Sequence, residues 1–546
     1  MMRELHEAAP RWVRVGLEER IALIEESMGC LSAVAEDWVA VSCRAKGVTQ
    51  PSAGEGEEWL AGIVPTMRNL RLLAMALKQG GAPKPAGLTQ RSDGRWVAKV
   101  FPLDLMETAM FAGVTCDLWI QPGEEPSQGR IYREKVAGKE GDGGVGVVLG
   151  AGNQSSIGPM DVLYKLFADD EVCILKMNPV NEYLGTIIEK ALGPFVREGY
   201  LRIVYGGAEV GDFLCTHDLA ASIHMTGSTK VHDIIVWGAD PEDQAANKKA
   251  GTPRIDIPVS SELGCITPVI VVPGPWSEKE LDYHARNVAG MVTYNAGFNC
   301  NGAKALVLAK GWDLRDRFVE RVEEKLRAHP ARKAYYPGAE RLWENFTEQY
   351  PDAHVLGEKS EGVVPWTVLH GVEAREGEYA LVNEPWCGVI SVIDIEGTTG
   401  SEFLAGAIPF CNDQLWGTLT SVMLVHPKTE KQYSAEVEQA IADLRYGGVA
   451  VNNWSGLQYG LGSPTWGAFP GHPLEDVVSG RGVVHNALLF DHPEKSVVRS
   501  PFVMKPTPAW FTDHKNGPSM ARKLVKFEAS PSWLRLPGVA FEAFKG

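Results

Sequence analysis

The 546-residue chain reads as an α/β protein organised on parallel sheets. Two observations lead there. From residue 145 onward, buried-strand runs such as VGVVLG (145–150) and EVCILKM (171–177) alternate with amphipathic stretches of helical period. That β-α-β-α rhythm implies a parallel sheet covered on both faces. The length is also too great for one core, so two or three domains, or one large α/β unit with appendages, are expected.

The elements follow in order. Residues 11–46 are expected to be helical, because Leu17, Ile21, Ile24, Met28 and Leu31 recur at steps of four and three. A Pro/Gly/Ser/Glu patch at 51–57 precedes a second helix over about 58–78. Residues 79–94 form a turn-rich connection. After the run at 145–150, MDVLYKLFADD is a helix, 171–177 a strand, 182–198 a helix and LRIVYG a strand. LAASIHMTG leads into a turn, and STKVHDIIVWGA is a helix with a Ser/Thr cap. RIDIPV and ITPVIVV read as strands. A second α/β block, about 267–455, carries helices at 279–293, 314–328 and 430–444. Its strands are ALVLA, GVISVID, SVMLVHP and GVAVNNW. Two peripheral segments, 116–136 and 483–502, look like strands without a home in either block. Such strands extend a sheet, sometimes across a subunit boundary.

Composition narrows the function classes. Hydrophobic content is 45% and charged content 22%, as in an ordinary globular chain. The net charge of −16 argues against broad binding to nucleic acid or anionic membranes. Nine scattered cysteines without a CxxC suit reduced thiols in the cytoplasm better than a disulfide framework or a zinc site. The charged N-terminal stretch lacks an unbroken apolar run, so no signal peptide is expected. The longest apolar runs are too short and proline-broken to span a bilayer.

One cysteine stands apart. In NAGFNCNGAK (295–304), Cys300 sits among Gly297, Asn299, Asn301 and Gly302. Structural cysteines hide among aliphatic neighbours; this turn leaves the sulfur reachable and backbone N–H groups near it. Four further stretches carry chemistry. Asn153 follows a buried strand in VVLGAGNQSSIGP, and Lys176 ends the next strand in ILKMNP. Gly227, Ser228 and Thr229 form a strand-to-helix turn, and Glu262 lies in SSELGC. Later, Glu384 and Trp386 occur in NEPWCG.

In this order and spacing, the residues resemble the aldehyde dehydrogenase superfamily, over roughly residues 100–500. The resemblance implies a Rossmann-type cofactor domain, an α/β catalytic domain and a small β oligomerisation arm. The expected divisions are 1–115, an N-terminal helical region joining the cofactor domain; 137–266, the dinucleotide-binding domain; and 267–455, the catalytic domain. Segments 116–136 and 483–502 would be the bridging strands, and 456–546 a C-terminal segment returning to the cofactor domain and arm. By the same resemblance, Cys300 is the nucleophile, Glu262 the general base and Asn153 the side-chain donor of the oxyanion hole. Lys176 would hold the adenosine ribose, Gly227 and Ser228 the pyrophosphate, and Glu384, with Trp386 beside it, the nicotinamide ribose. The implied cofactor is NAD or NADP, the substrate a small-molecule aldehyde, and the assembly a homodimer or homotetramer.

The chain also departs from the family pattern. A second glycine is expected five positions after Gly227, where His232 stands. An acidic residue is expected three positions after Lys176, where Pro179 stands. Loss of that carboxylate removes repulsion toward a 2′-phosphate. The expectation therefore tilts toward NADP, with Lys176, Asn178 and His232 as candidate phosphate contacts. Tyr294, Phe298, Trp454, Tyr459 and Trp466 lie near the expected substrate entrance and suit an apolar or aromatic aldehyde. Three rival readings stay open. One is a CoA-acylating aldehyde dehydrogenase or acyl reductase, which Glu262 disfavours. Another is a non-catalytic nucleotide-binding relative. The third is a thiol hydrolase without cofactor, using Cys300 with a histidine.

Overall fold

The computed structural model of the protein describes residues 1–139 and 141–546. Two sheets organise it. The smaller has six strands in the spatial order Gly480–Arg481, Val259–Glu262, Ser222–Thr226, Val145–Leu149, Val172–Lys176 and Leu201–Val204. The five longer strands run parallel. In the larger sheet, the parallel core comprises Gly448–Val451, Thr420–Leu424, Thr267–Val271, Ala303–Ala309, Val389–Ile395 and Trp366–Val372. The strands of both cores are buried almost throughout, as helices on each face require.

Residues 2–78 form a helical buttress on the six-stranded side, and the chain then crosses to the larger sheet with strands Thr89–Gln90 and Trp96–Phe101. Helices Met2–Arg14 and Leu17–Lys46 are followed by one continuous helical stretch, Ala53–Lys78, with a π-helical turn at Trp59–Ile63. That stretch is long and apolar enough to cross a membrane, but 78% of its apolar window is buried inside the protein. Trp12 is fully buried, with its ring 5.5 Å from Phe167 and 4.9 Å from Tyr200. Burying an aromatic of that size contributes roughly 4–6 kcal/mol before entropy is counted. The C-terminal helix Gly517–Ala529 is tied to this buttress by ions. Arg68 pairs with Glu107 (2.7 Å) and Glu528 (2.9 Å), and Arg71 with Glu528 (2.8 Å).

Several elements differ from the sequence reading. RIDIPV is not a strand: pairing begins at Val259, after Pro258, whose ring nitrogen has no proton to give a ladder. The 182–198 helix breaks into Gly185–Ala191 and Gly193–Arg197 at Leu192. Of 116–136, only Thr115–Ile120 is a strand, and Arg130–Val136 is a helix. That helix starts after Gly129 at φ 68°, and an Arg130–Glu134 pair (3.1 Å) spans one turn. Of 483–502, only Pro493–Arg499 is a strand. Both strands find partners within this chain. Pro493–Arg499 pairs antiparallel with Thr115–Ile120 and parallel with Gly448–Val451, and so extends the larger sheet.

Candidate functional site

The parallel register of the small sheet fixes the residues expected to hold a cofactor. Leu149 lies opposite Lys176 and Met225, and Thr226 opposite Glu262. All four strands therefore end at one edge, and the loops leaving that edge converge. Crevices at the carboxyl ends of parallel strands are where such sheets bind ligands. Here a cleft of about 650 Å³ is lined by Asn153, Lys176, Asn178, Gly227, Ser228, Glu262, Cys300, Glu384 and Trp386, with the 336–339 loop.

Cys300 enters from the other sheet. It follows helix Glu278–Thr293 and precedes strand Ala303–Ala309. Asn295 and Ala296 are left-handed (φ 52° and 57°), and Gly297 continues at φ 84°. Two consecutive non-glycine residues in that region carry backbone strain that the surroundings must hold. The holding contacts are visible. A Cβ on Gly297 would lie 2.7 Å from the Gly388 nitrogen, so that approach admits only glycine. Buried Lys304 Nζ donates to the carbonyls of Gly297 (3.0 Å) and Cys387 (3.1 Å), clamping the two loops together.

The Cys300 Sγ lies 3.0 Å from Glu262 Oε1, as a thiol donating to a carboxylate. Cys300 is half-buried and reaches the cleft, whereas Glu262 is buried. Burial pushes the Cys300 pKa well above its ordinary value, and the charge and hydrogen bond of Glu262 add to that. Burial also raises Glu262, against the Cys300 hydrogen bond and the charge of His485. The resting pair is therefore a protonated thiol beside a carboxylate made a better proton acceptor. Asn153 Nδ2 donates to the Phe298 carbonyl (3.1 Å), two residues before the sulfur. Its second amide proton has no partner among the described residues. The arrangement can deprotonate a thiol, present it to a carbonyl carbon and offer a donor to the resulting oxyanion.

On the side expected to hold a cofactor, the Lys176 backbone is paired within the sheet, while its ammonium makes no hydrogen bond or ion pair with the described residues. Burial lowers its pKa, and the nearby carboxylates of Glu209 and Glu182 oppose that. Ser228 caps helix Thr229–Trp237 by accepting from the Val231 nitrogen (3.3 Å). The start of that helix opens on the cleft and suits an anion. Asn178 Oδ1 accepts from the Val180 nitrogen (3.0 Å) and packs on Gly152. Glu384 Oε1 accepts from the Cys265 nitrogen (3.1 Å), and burial pushes its carboxyl up to about 7. Gly264 makes room for it: a Cβ there would lie 1.8 Å from Glu384 Oε2. An unpartnered buried cation, a helix start and a carboxylate held toward the cleft fit a dinucleotide. His232 does not join them. The helix meets the cleft with Val231, Ile234 and Ile235, and His232 lies about 100° around from that face. It is fully buried, 3.3 Å from Asp233, and burial lowers its pKa.

Residues 172–338 match the profile described as Aldehyde dehydrogenase family. No curated protein sequence matches the chain significantly. Among solved structures, the chain is similar to the aldehyde dehydrogenase KauB of Pseudomonas aeruginosa. The TM-score is 0.63 at 16% identity, over 92% of this chain and 88% of that one. It is also similar to the P. syringae indole-3-acetaldehyde dehydrogenase AldA in complex with NAD+ and IAA (TM-score 0.63, 16% identity, 92% and 88% covered). A third is the NADP-dependent glyceraldehyde-3-phosphate dehydrogenase of Bacillus halodurans C-125, complexed with NADP (TM-score 0.60, 15% identity, 91% and 90% covered). The chain has the aldehyde dehydrogenase fold. The superfamily resemblance read from the motifs is the one these comparisons return. The tilt toward NADP gains no support from them, since the similar structures include an NAD+ and an NADP complex. Within the chain, Glu209 and Glu182 place carboxylate charge near Lys176 although position 179 carries none.

On this aldehyde dehydrogenase fold, several residues beyond the motifs brace the site. Lys46 Nζ donates to the Asn153 carbonyl (3.1 Å), Asn295 Oδ1 (3.0 Å) and Glu58 (2.8 Å). Glu57 accepts from the Asn295 nitrogen (3.0 Å). The N-terminal helices thus hold both the asparagine loop and the strained turn. Behind Glu262, fully buried Asp161 lies 3.1 Å from His485 Nε2 and 3.5 Å from His224 Nε2. Burial would raise the Asp161 pKa; the two imidazoles reverse that and hold it low. The sequence marks it only as an acidic residue in the largely apolar run IGPMDVLYKLF, nearly all of which is buried.

The five aromatics of the expected entrance divide. Tyr294 and Trp454 line a separate apolar cavity of about 210 Å³ with Trp510 and Phe111. Trp454 Nε1 donates to the Asn301 carbonyl beside Cys300 (2.8 Å). Tyr459 and Trp466 pack edge-on (5.2 Å) beside His485. Phe298 packs against Tyr335 and Tyr336.

Proposed function

We propose that the protein oxidises an aldehyde to a carboxylic acid through a thiohemiacetal and a thioester on Cys300. The observation that carries this is the 3.0 Å contact between Cys300 Sγ and Glu262 Oε1 inside a cleft shared with Asn153, Lys176 and Glu384. As Sγ attacks the carbonyl carbon, its proton passes to Glu262. The oxyanion is met by the Asn153 amide and the Cys300 backbone N–H. Loss of one such donor costs roughly 3–4 kcal/mol in comparable sites. A nicotinamide dinucleotide bound in the cleft supplies the acceptor for the hydride that leaves the adduct. Lys176 and Glu384 would hold its two riboses, and the Ser228 helix start its pyrophosphate. Once Glu262 has lost its proton to solvent, it takes one from water, which cleaves the thioester and frees the acid.

The cofactor is NAD or NADP. Trp454 holds the Asn301 carbonyl next to Cys300 and also lines the second, apolar cavity with Tyr294; that apolar side of the Cys300 loop supports an apolar or aromatic aldehyde. A panel of aldehydes with each cofactor, followed by absorbance of the reduced nicotinamide, tests the reading. Turnover is expected with the native chain and none with Cys300→Ala. Product analysis separates the rival acceptor: free acid supports the hydrolytic route, acyl-CoA the other. Nucleotide binding without turnover would sink both in favour of a non-catalytic relative. Nine free cysteines support a reducing, cytoplasmic setting, tested by fractionation. A homodimer or homotetramer is proposed, with light scattering as its check.

A further inference from the structure

Far from the motifs, two imidazoles and a carboxylate converge on one point. His354 Nδ1 lies 2.8 Å and His370 Nε2 2.7 Å from the same oxygen, Glu323 Oε1. All three donor atoms lie within 4.8 Å of one another. Among the described residues, no other three His, Cys, Asp or Glu side chains meet this way.

Three separate elements contribute. Glu323 is on helix Arg315–Ala328, His354 on the edge strand His354–Leu356, and His370 on the neighbouring strand Trp366–Val372. His354 lies opposite Val368, so His370, two residues on, shares its face as the diagonal neighbour. The ladder between Trp366–Val372 and Val389–Ile395 shifts register between Leu369 and Val372, and Gly371 there has φ 70°. Such a bulge re-aims a side chain, here that of His370. The imidazole centroids are 4.2 Å apart. Arg327 stands 4.0 Å from the other oxygen, Glu323 Oε2, which leaves Oε1 turned to the imidazoles.

We propose that Glu323, His354 and His370 form a binding site for a divalent transition metal of the zinc class. Two imidazole nitrogens and one carboxylate oxygen are the ligands such a borderline ion takes, whereas calcium and magnesium want oxygen alone. Zinc sits about 2.0–2.2 Å from each such atom, so the cluster needs only a small outward movement to admit it. The His354 side chain is 54% exposed, which leaves a fourth position to water. The ion would pin the edge strand of the large sheet to its neighbour and to the helix. The role is structural and independent of the cleft chemistry.

The test uses the full-length chain without a histidine tag, stripped by a chelator and titrated with cobalt(II), then with zinc(II) as competitor. One cobalt per chain with a tetrahedral visible spectrum, displaced by zinc, is expected. His354→Ala, on an exposed edge, removes a ligand without opening the core; Glu323→Gln keeps the shape of the carboxylate. Each should weaken binding at least tenfold and abolish the zinc-dependent rise in melting temperature. Cys300→Ala should bind as the native chain does. No saturable cobalt binding, or binding that survives either ligand substitution, overturns the site.

Discussion

Lys46 Nζ lies 3.1 Å from the carbonyl oxygen of Asn153, a residue 107 positions further along the chain. The same ammonium reaches Asn295 at the strained turn, and Glu58 neutralises it. One buried cation thus sets the spacing between the asparagine loop and the loop that carries Cys300. Lys46→Met leaves Glu58 buried without its partner and is expected to destabilise the chain by about 3–5 kcal/mol. Adding Glu58→Gln should restore most of that in urea denaturation. Turnover of the double variant should still fall roughly tenfold to a hundredfold, because a misplaced donor costs rate even when the fold is intact. Full activity in the double variant would remove Lys46 from any positioning role.

Glu262 has opposite effects on the two halves of the proposed reaction. Its charge and hydrogen bond raise the Cys300 pKa, on top of burial. Glu262→Gln should therefore move the pH midpoint of Cys300 alkylation downward. Release of acid should meanwhile slow by roughly two to four decades, with a pre-steady-state burst of reduced cofactor retained. An upward shift of the alkylation midpoint would contradict the electrostatics described for the pair.

Glu209 places negative charge near Lys176 from the start of helix Ala208–Cys215. A 2′-phosphate seated on Lys176 would feel that charge, and a 2′-hydroxyl would not. Glu209→Gln should tighten NADP binding by roughly two- to fivefold relative to NAD, the range expected for one solvent-exposed charge. Tryptophan fluorescence quenching measures both affinities without turnover. An unchanged ratio would remove Glu209 from cofactor discrimination.

His284 is fully buried against Trp276 and Phe502, and burial depresses its pKa to about 3. An unfolded histidine titrates near 6.5. Below that value the unfolded chain binds a proton that the folded chain refuses. The contribution of this group is full above pH 6.5 and is lost progressively toward pH 3. The loss across that window is about 4–5 kcal/mol. His284→Phe should flatten the acid limb of a stability–pH profile from urea midpoints; an unaltered limb would place the acid sensitivity elsewhere.

The sequence by itself determined the stations of the site. Asn153, Lys176, Gly227, Ser228, Glu262 and Glu384 stand in turns and strand ends bounded by apolar runs, and such runs are local signals of period and length. Cys300 was legible for the same reason, because glycines and asparagines around a thiol mark an open turn. What covers each element was not legible. The apolar periodicity of Leu17–Lys46 says that one face is buried, not that Lys46 at its end reaches Asn153. The alternation in 130–136 fits a strand as well as a helix until Gly129 and the Arg130–Glu134 pair decide for the helix. His232 sits at a motif position, yet the rotation of its helix turns it away from the cleft. Pro179 removed one acid from the sequence pattern, while Glu209 returned one through space. Local propensity and patterning act over a few residues and survive in the one-dimensional code. Contacts between side chains a hundred or more positions apart depend on how the sheets and helices pack, and packing alone decided them.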